Sequence, residues 1–218
     1  MGENLWVGPP WDESDSKIGR QCYFIEPGLA FGTGDHPTTQ LMMLRIEELS
    51  KQGRWDAVLD LGCGTGVLAL VARRLLKPAQ LAMADLDPLC DQEVKKAFAL
   101  NHEPLDDGKT RCFFGHSGTA QAIAHAGLKF DLIISNIYAE VLALIAPDIV
   151  KCLKPGGLWM CSGILEGKSE TILEKATEQL FHCRERRSLL KKGATLDSQA
   201  GMQVLDETWV LREYVLKV

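Results

Sequence analysis

The chain has 218 residues, 46% hydrophobic and 24% charged, with a net charge of -5; that length suits one domain, or one plus a fragment. The acidic balance gives no support for tight electrostatic binding of nucleic acid, and no apolar run approaches the ~18 residues of a membrane span. The opening MGENLWVGPPWDESD lacks the basic start and apolar core of a signal peptide, so a cytoplasmic protein is expected, with neither nucleic acid nor membrane as a direct partner.

In chain order, residues 1 to 25 show little periodicity. LWVGPPW, with two tryptophans and two prolines, reads as an extended, packed segment. From Pro37 a helix is predicted: proline suits its first turn, and Met42, Ile46 and Leu49 recur at helical spacing. AVLDLGCG is an apolar run ending in glycines, a buried strand and a turn, and VLALVARRLL from Val67 is the helix after it. LAMAD from Leu81 is a second strand. Asp87-Pro88 opens another helix with Asp87 as its N-cap, placing Val94, Ala97, Phe98 and Asn101 on one face. RCFFG (111 to 115) and FDLIIS (130 to 135) are the third and fourth strands, and the following helical segment is divided by Pro147. KPGG at 154 to 157 is a turn before a fifth strand, GLWMCSGIL; SETILEKATEQL is a sixth helical pattern, and TWVLREYVLKV a last strand.

Strands alternating with helices predict an α/β fold, a doubly wound parallel sheet. SLLKK and TWVLREYVL break the rhythm; pairing as a hairpin, they would put one antiparallel strand into the sheet. The basic group Arg184, Arg186, Arg187, Lys191 and Lys192 reads as a solvated surface. Seven cysteines, with no CxxC pair, fit reduced thiols better than disulfides or a zinc site.

The run Asp60-Leu61-Gly62-Cys63-Gly64-Thr65-Gly66 lies between a strand and a helix, the context that gives a glycine motif meaning. Asp85 ends the next strand about 20 residues on, where an acidic group can bind ribose hydroxyls. The spacing is GxGxG rather than the dinucleotide GxGxxG, and Asp60 stands two residues before the first glycine. A carboxylate there is unfavourable beside a pyrophosphate. It is favourable beside S-adenosylmethionine, which carries an ammonium and a sulfonium and no phosphate. Cys63 is a small filler, since methyl transfer needs no thiol. Ser135-Asn136-Ile137-Tyr138-Ala139, at the end of the fourth strand, brings an amide beside the expected methyl donor. The Asn136 side-chain carbonyl and a backbone carbonyl can accept hydrogen bonds from an amine and aim its lone pair. His36 has two readings, a contact to the ligand or an N-cap next to Pro37.

The blocks EPGLAFGTGDHPTT, VLDLGCGTGVLAL, DLDP, FDLIISNIYAEVL, LKPGGLWMCSGIL and TWV, in that order, resemble the PrmA-type methyltransferases of large-subunit ribosomal protein eleven over residues 26 to 218. The resemblance implies a seven-stranded, S-adenosylmethionine-binding fold with a last antiparallel strand. It implies methyl transfer to lysine side chains and an N-terminal amine of that ribosomal protein. Carried over by position, Thr39, Gly62, Asp85 and Asn136 would contact the cofactor, with Phe31, Gly64 and Ile137 as neighbours; Asn136 and Ile137 would serve the acceptor. Thr39 would donate to the donor's carboxylate at a helix N-terminus, and Phe31 would cover an apolar edge. GHSGTA has no aspartate where related enzymes hold the adenine amino group, so Ser117 or a backbone group is expected there. Family members carry a small recruitment domain before the catalytic one, whereas Glu26 is preceded by 25 residues. Those residues are expected to be an extended segment or linker, which also leaves a small-molecule methyltransferase or an inactive cofactor-binding module as alternatives.

Overall fold

The computed structural model describes residues 4–12, 18–26, 36–191 and 207–217. Its centre is a sheet in which β3 (Ala57–Leu61), β4 (Gln80–Asp85), β5 (Thr110–Phe114), β6 (Phe130–Asn136) and β7 (Leu153–Leu165) run parallel. The last two strands, β8 (Phe181–Lys191) and β9 (Glu207–Leu216), form an antiparallel hairpin, and β9 inserts antiparallel to β7. The order is β5-β4-β3-β6-β7-β9-β8, seven strands, as the alternating pattern and the terminal hairpin led us to expect.

Successive strand residues face opposite cores, which is why the strands read as continuous apolar runs. Val58, Ile134 and Met160 pack with α1 (Pro37–Leu49), α2 (Val67–Leu76) and α3 (Cys90–Leu100). Leu59, Ile133 and Trp159 pack on the other face with α5 (Ala139–Cys152) and α6 (Lys168–Thr177). Between β5 and β6 lie a 3₁₀ turn, Gly115–Gly118, and the short α4 (Ala120–His125), elements the sequence pattern did not assign.

Three local expectations need correction. Pro147 does not divide α5, which runs unbroken through it. The proline is exposed, while Leu142, Ala146, Ile149 and Cys152 hold the other face in the core. Asp87 is not the N-cap of α3. Leu89 takes that position, and the Asp87 Oδ1 accepts from the Leu89 N–H (2.9 Å) in a turn just ahead of the helix. The KPGG segment is an excursion inside β7: Phe130 pairs with Leu153 and Leu132 with Leu158.

The N-terminal segment is more organised than its composition suggests. β1 (Leu5–Gly8) and β2 (Gln21–Phe24) pair in parallel as a separate two-stranded sheet. Asn101 holds it to the body as a strand neighbour would, accepting from the Phe24 N–H (2.9 Å) and donating to the Phe24 carbonyl (2.7 Å).

Ion pairs secure the far edge. Buried Arg45 of α1 donates to both carboxylate oxygens of buried Glu213 in β9, at 2.5 and 3.0 Å. Arg186 pairs with Glu166 and Glu170, and Arg187 with Glu48 and Glu185. Much of the basic group is therefore committed to intramolecular carboxylates; Lys192 lies outside the described residues.

Candidate active site

A cavity of about 370 Å³ opens beyond the carboxyl ends of the parallel strands, in the ligand-size range. It is lined by the glycine loop (Gly62, Gly64), the end of β4 (Asp85, Asp87), the end of β6 (Asn136, Ile137, Tyr138), the start of α1 (His36, Thr38), and Cys90, Gly163 and Trp209.

The loop is fixed from both sides. Gly62, Gly64 and Gly66 all have positive φ, a region only glycine enters cheaply. The Gly62 and Cys63 N–H groups donate to the Ala84 carbonyl (2.8 and 3.1 Å), and the Gly64 N–H donates to the Asp85 Oδ2 (2.9 Å). Asp85 Oδ1 accepts from the Asp87 N–H (3.0 Å). Asp85 thus organises the backbone around the cavity while its carboxylate lines it.

Asp60 lies beneath the loop rather than on the cavity wall. It is 1% exposed, and its Oδ2 accepts from the Ala69 N–H (2.9 Å). This satisfies an orphan donor of α2, whose N-cap, Gly66, has no side chain to do so. The Asp60 Oδ1 is buried without a partner. Burial, opposed by the Ala69 N–H and reinforced by the Asp85 charge, lifts its carboxyl from 3.8 to about 7. The folded chain therefore holds a proton that the unfolded chain releases, so Asp60's contribution to stability falls as pH rises from about 4 to about 7. Asp60→Asn keeps the acceptor for Ala69 and removes the titration. Between about pH 5 and about pH 8, urea midpoints should show the parent losing on the order of 2–4 kcal/mol relative to this variant. A pH-independent difference would exclude the raised value.

Across the cavity, His36 caps α1: its Nδ1 accepts from the Thr38 N–H (3.4 Å) and lies 2.8 Å from the Thr38 hydroxyl. Its ring also lines the cavity and meets Trp209 edge-on, centroids 4.7 Å apart. Burial and Lys191 push its pKa down, favouring the neutral ring. Thr39 is fully buried behind this wall, and its hydroxyl accepts from the Asn136 Nδ2 at 3.4 Å. The Asn136 Oδ1 of the same amide is buried and unpartnered, and the residue lines the cavity.

Ile137 is wedged between two glycines. A Cβ on Gly62 would stand 2.4 Å from the Ile137 Cγ2, and one on Gly163 would stand 2.4 Å from the Ile137 carbonyl oxygen. Gly163, at a register shift in β7, has φ +84. Cys63 is buried and its thiol is pushed well above its ordinary pKa, as suits a filler. Ser117 donates to the Phe114 carbonyl and does not line the cavity. Phe31 and most of FGTGD lie outside the described residues.

A larger cleft, about 630 Å³, lies at the other end of the strands, beside Gln21, Arg73 and Arg74. The two guanidiniums there are committed to Glu103, Asp107, Thr110 and the Cys22 and Asn101 carbonyls, and Arg74, through Cys22, braces the N-terminal sheet.

A family model described as ribosomal protein L11 methyltransferase (PrmA) matches residues 1–189. The chain belongs to the PrmA family. A ribosomal protein L11 methyltransferase of Symbiobacterium thermophilum is 35% identical over 178 residues, 82% of this chain and 54% of the relative. One of Prochlorococcus marinus is 38% identical over 176 residues, 80% and 56% respectively. The chain thus spans about half the length of the curated PrmA relatives it matches. Among solved structures, the ribosomal protein L11 methylase of Lactobacillus delbrueckii subsp. bulgaricus aligns with a TM-score of 0.75 and 26% identity, covering 100% of this chain and 97% of that one. The PrmA fold is thus the seven-stranded one described above.

Sequence reasoning missed Asp87, Cys90, Tyr138, Thr38, Gly163 and Trp209 as cavity residues. Gly163 and Trp209 sat within recognised strands, and only the register shift of β7 against β9 reveals why they face the cavity.

Proposed function

We propose that the chain transfers methyl groups from S-adenosylmethionine to amine nitrogens of a protein, lysine side chains or an N-terminal amine, with ribosomal protein L11 as substrate in the cytoplasm. Residues 26–218 form the methyl-transfer domain in this reading. The observation that carries it is the buried, unpartnered Asn136 Oδ1, directed by the Thr39 contact on its own amide nitrogen. An unsatisfied acceptor beside a cavity is costly unless a ligand donates to it, and an amine is such a donor.

Bound in the cavity, S-adenosylmethionine would supply an electrophilic methyl group. Gly62, Gly64 and Asp85 would hold it along the loop, with Thr39 behind Asn136 and Phe31 covering it. Asp60 acts at one remove: it fixes the start of α2 and places a carboxyl under a cationic ligand, which would draw that carboxyl back to its charged form. Asn136 Oδ1 accepts a hydrogen bond from the incoming amine and turns the lone pair inward. A lysine amine, with an ordinary pKa near ~10.4, arrives as a cation and must lose a proton before it attacks, and desolvation in the cavity lowers that value. Ile137, clamped between Gly62 and Gly163, fixes the backbone that carries Asn136. Positioning of this kind can supply much of a rate enhancement.

Incubation with S-adenosylmethionine and ribosomal protein L11, followed by intact-protein mass measurement, should show one or more added methyl groups. L11 left unmodified, under conditions where a longer relative modifies it, would sink the assignment.

A further inference from the structure

One side of α5 does not behave like a solvent face. Its inner side puts Leu142, Ala146 and Ile149 in the core. Its N-cap Tyr138 and, on its outer side, Val141 and Leu144 are 73, 42 and 79% exposed, three residues apart and so in one stripe. Tyr138 begins the stripe and also lines the cavity. On the opposite rim, Leu86 and Leu89 are 67 and 60% exposed, flanking Asp87. Five of the nine exposed large apolar side chains among the described residues thus lie on the two segments, residues 85–90 and 136–144, that line the cavity and lead away from it, a grouping that marks an interaction surface.

The electrostatics of the mouth select the partner. Asp85 and Asp87 line the cavity, no lysine or arginine is among its described lining residues, and exposed Glu140 lies beside Tyr138. The chain as a whole carries a net charge of -5. A cationic amine on a basic protein is complementary to such a rim, and its approach is favoured electrostatically. A membrane of anionic lipid is not.

We propose that the Tyr138–Val141–Leu144 stripe is the docking surface for the protein substrate, which lies along α5 while its amine enters the cavity at Asn136. This rests on the methyl-transfer reading and extends it to recognition. The occupant is a basic polypeptide segment with an apolar side chain close to the reacting amine. From Tyr138 to Leu144 the helix advances ~9 Å, a span an extended chain covers in about three residues. The apolar contact therefore falls about three residues from the modified lysine.

The test titrates purified ribosomal protein L11 into the parent and into Leu144→Asp and Val141→Asp, with S-adenosylhomocysteine present, and separately follows methylation by mass. Both variants should bind L11 about tenfold more weakly. KM for L11 should rise by a similar factor with kcat little changed, while donor affinity and sedimentation stay those of the parent. Ile18→Asp, exposed just ahead of β2 and the cleft at the other end of the strands, should leave KM unchanged. Parent-like L11 binding by Leu144→Asp overturns the docking surface, as does a changed oligomeric state, which would assign the stripe to a second copy. A parent that binds L11 through Leu144 without methylating it upholds the docking surface and sinks the catalytic reading; one that neither binds nor methylates L11 overturns both.

Discussion

On the proposed function, Asn136→Ala is expected to lower kcat by roughly 10²–10³-fold while the chain stays folded, because it removes the acceptor that would aim the substrate amine. The side chain makes a single long hydrogen bond within the protein, to Thr39 at 3.4 Å, and leaves its Oδ1 unpartnered. Its truncation therefore costs the resting fold little and relieves one buried unsatisfied atom. Donor affinity should weaken by less than the fall in kcat, since Gly62, Gly64 and Asp85 remain in place. Thermal unfolding, donor titration and single-turnover methylation of L11 separate these effects. Turnover within about threefold of the parent would show that Asn136 does not act on the reacting centre.

Gly163→Ala should lower stability by roughly 3 kcal/mol and the melting temperature by roughly 6–12 °C. Two causes add. At φ +84 an alanine is held in a conformation that L residues avoid, and its Cβ would stand 2.4, 2.7 and 3.0 Å from the O, C and N of Ile137. Those are backbone atoms, so no rotamer change relieves the overlap. The strand or the Asn136 segment must move, and turnover should fall further than stability alone explains. Gly156→Ala supplies the reference: φ is +74 there with nothing within 4 Å of the added carbon. Its cost should be the conformational part alone, about 1–2 kcal/mol. Equal melting temperatures for the two variants would remove the packing argument.

What could be read in advance follows from the range of the forces involved. The β3–loop–α2–β4 unit is written locally, in apolar runs, three glycines and an aspartate, and the structure places its strands, loop and helix as read. Pro147 misled because propensity favours a break, whereas burial of Leu142, Ala146 and Ile149 carries the helix through. The β1–β2 pairing was illegible because its anchor, Asn101, which caps the end of α3, is 77 positions from Phe24 in sequence. Asp60 was legible as a carboxylate near the ligand loop. That it faces the Ala69 N–H from below is a tertiary fact. Trp209 joins the cavity only through the register of the last strand.

The Arg45–Glu213 pair spans 168 positions and joins the helix capped by His36 to the strand that begins two residues before Trp209. On a translating ribosome, α1 emerges early, with a guanidinium destined for burial and its main carboxylate not yet made. Glu48 lies within reach on the same helix, but one exposed partner does not offset a buried arginine. Long-range closure of this kind is slow and comes late in folding. The wall formed by His36 and Trp209 can therefore close only after β9 has been synthesised and has slid in beside β7. A nascent chain stopped short of that strand carries the glycine loop and Asn136 but not a finished pocket, so competence arrives with the final turn of assembly.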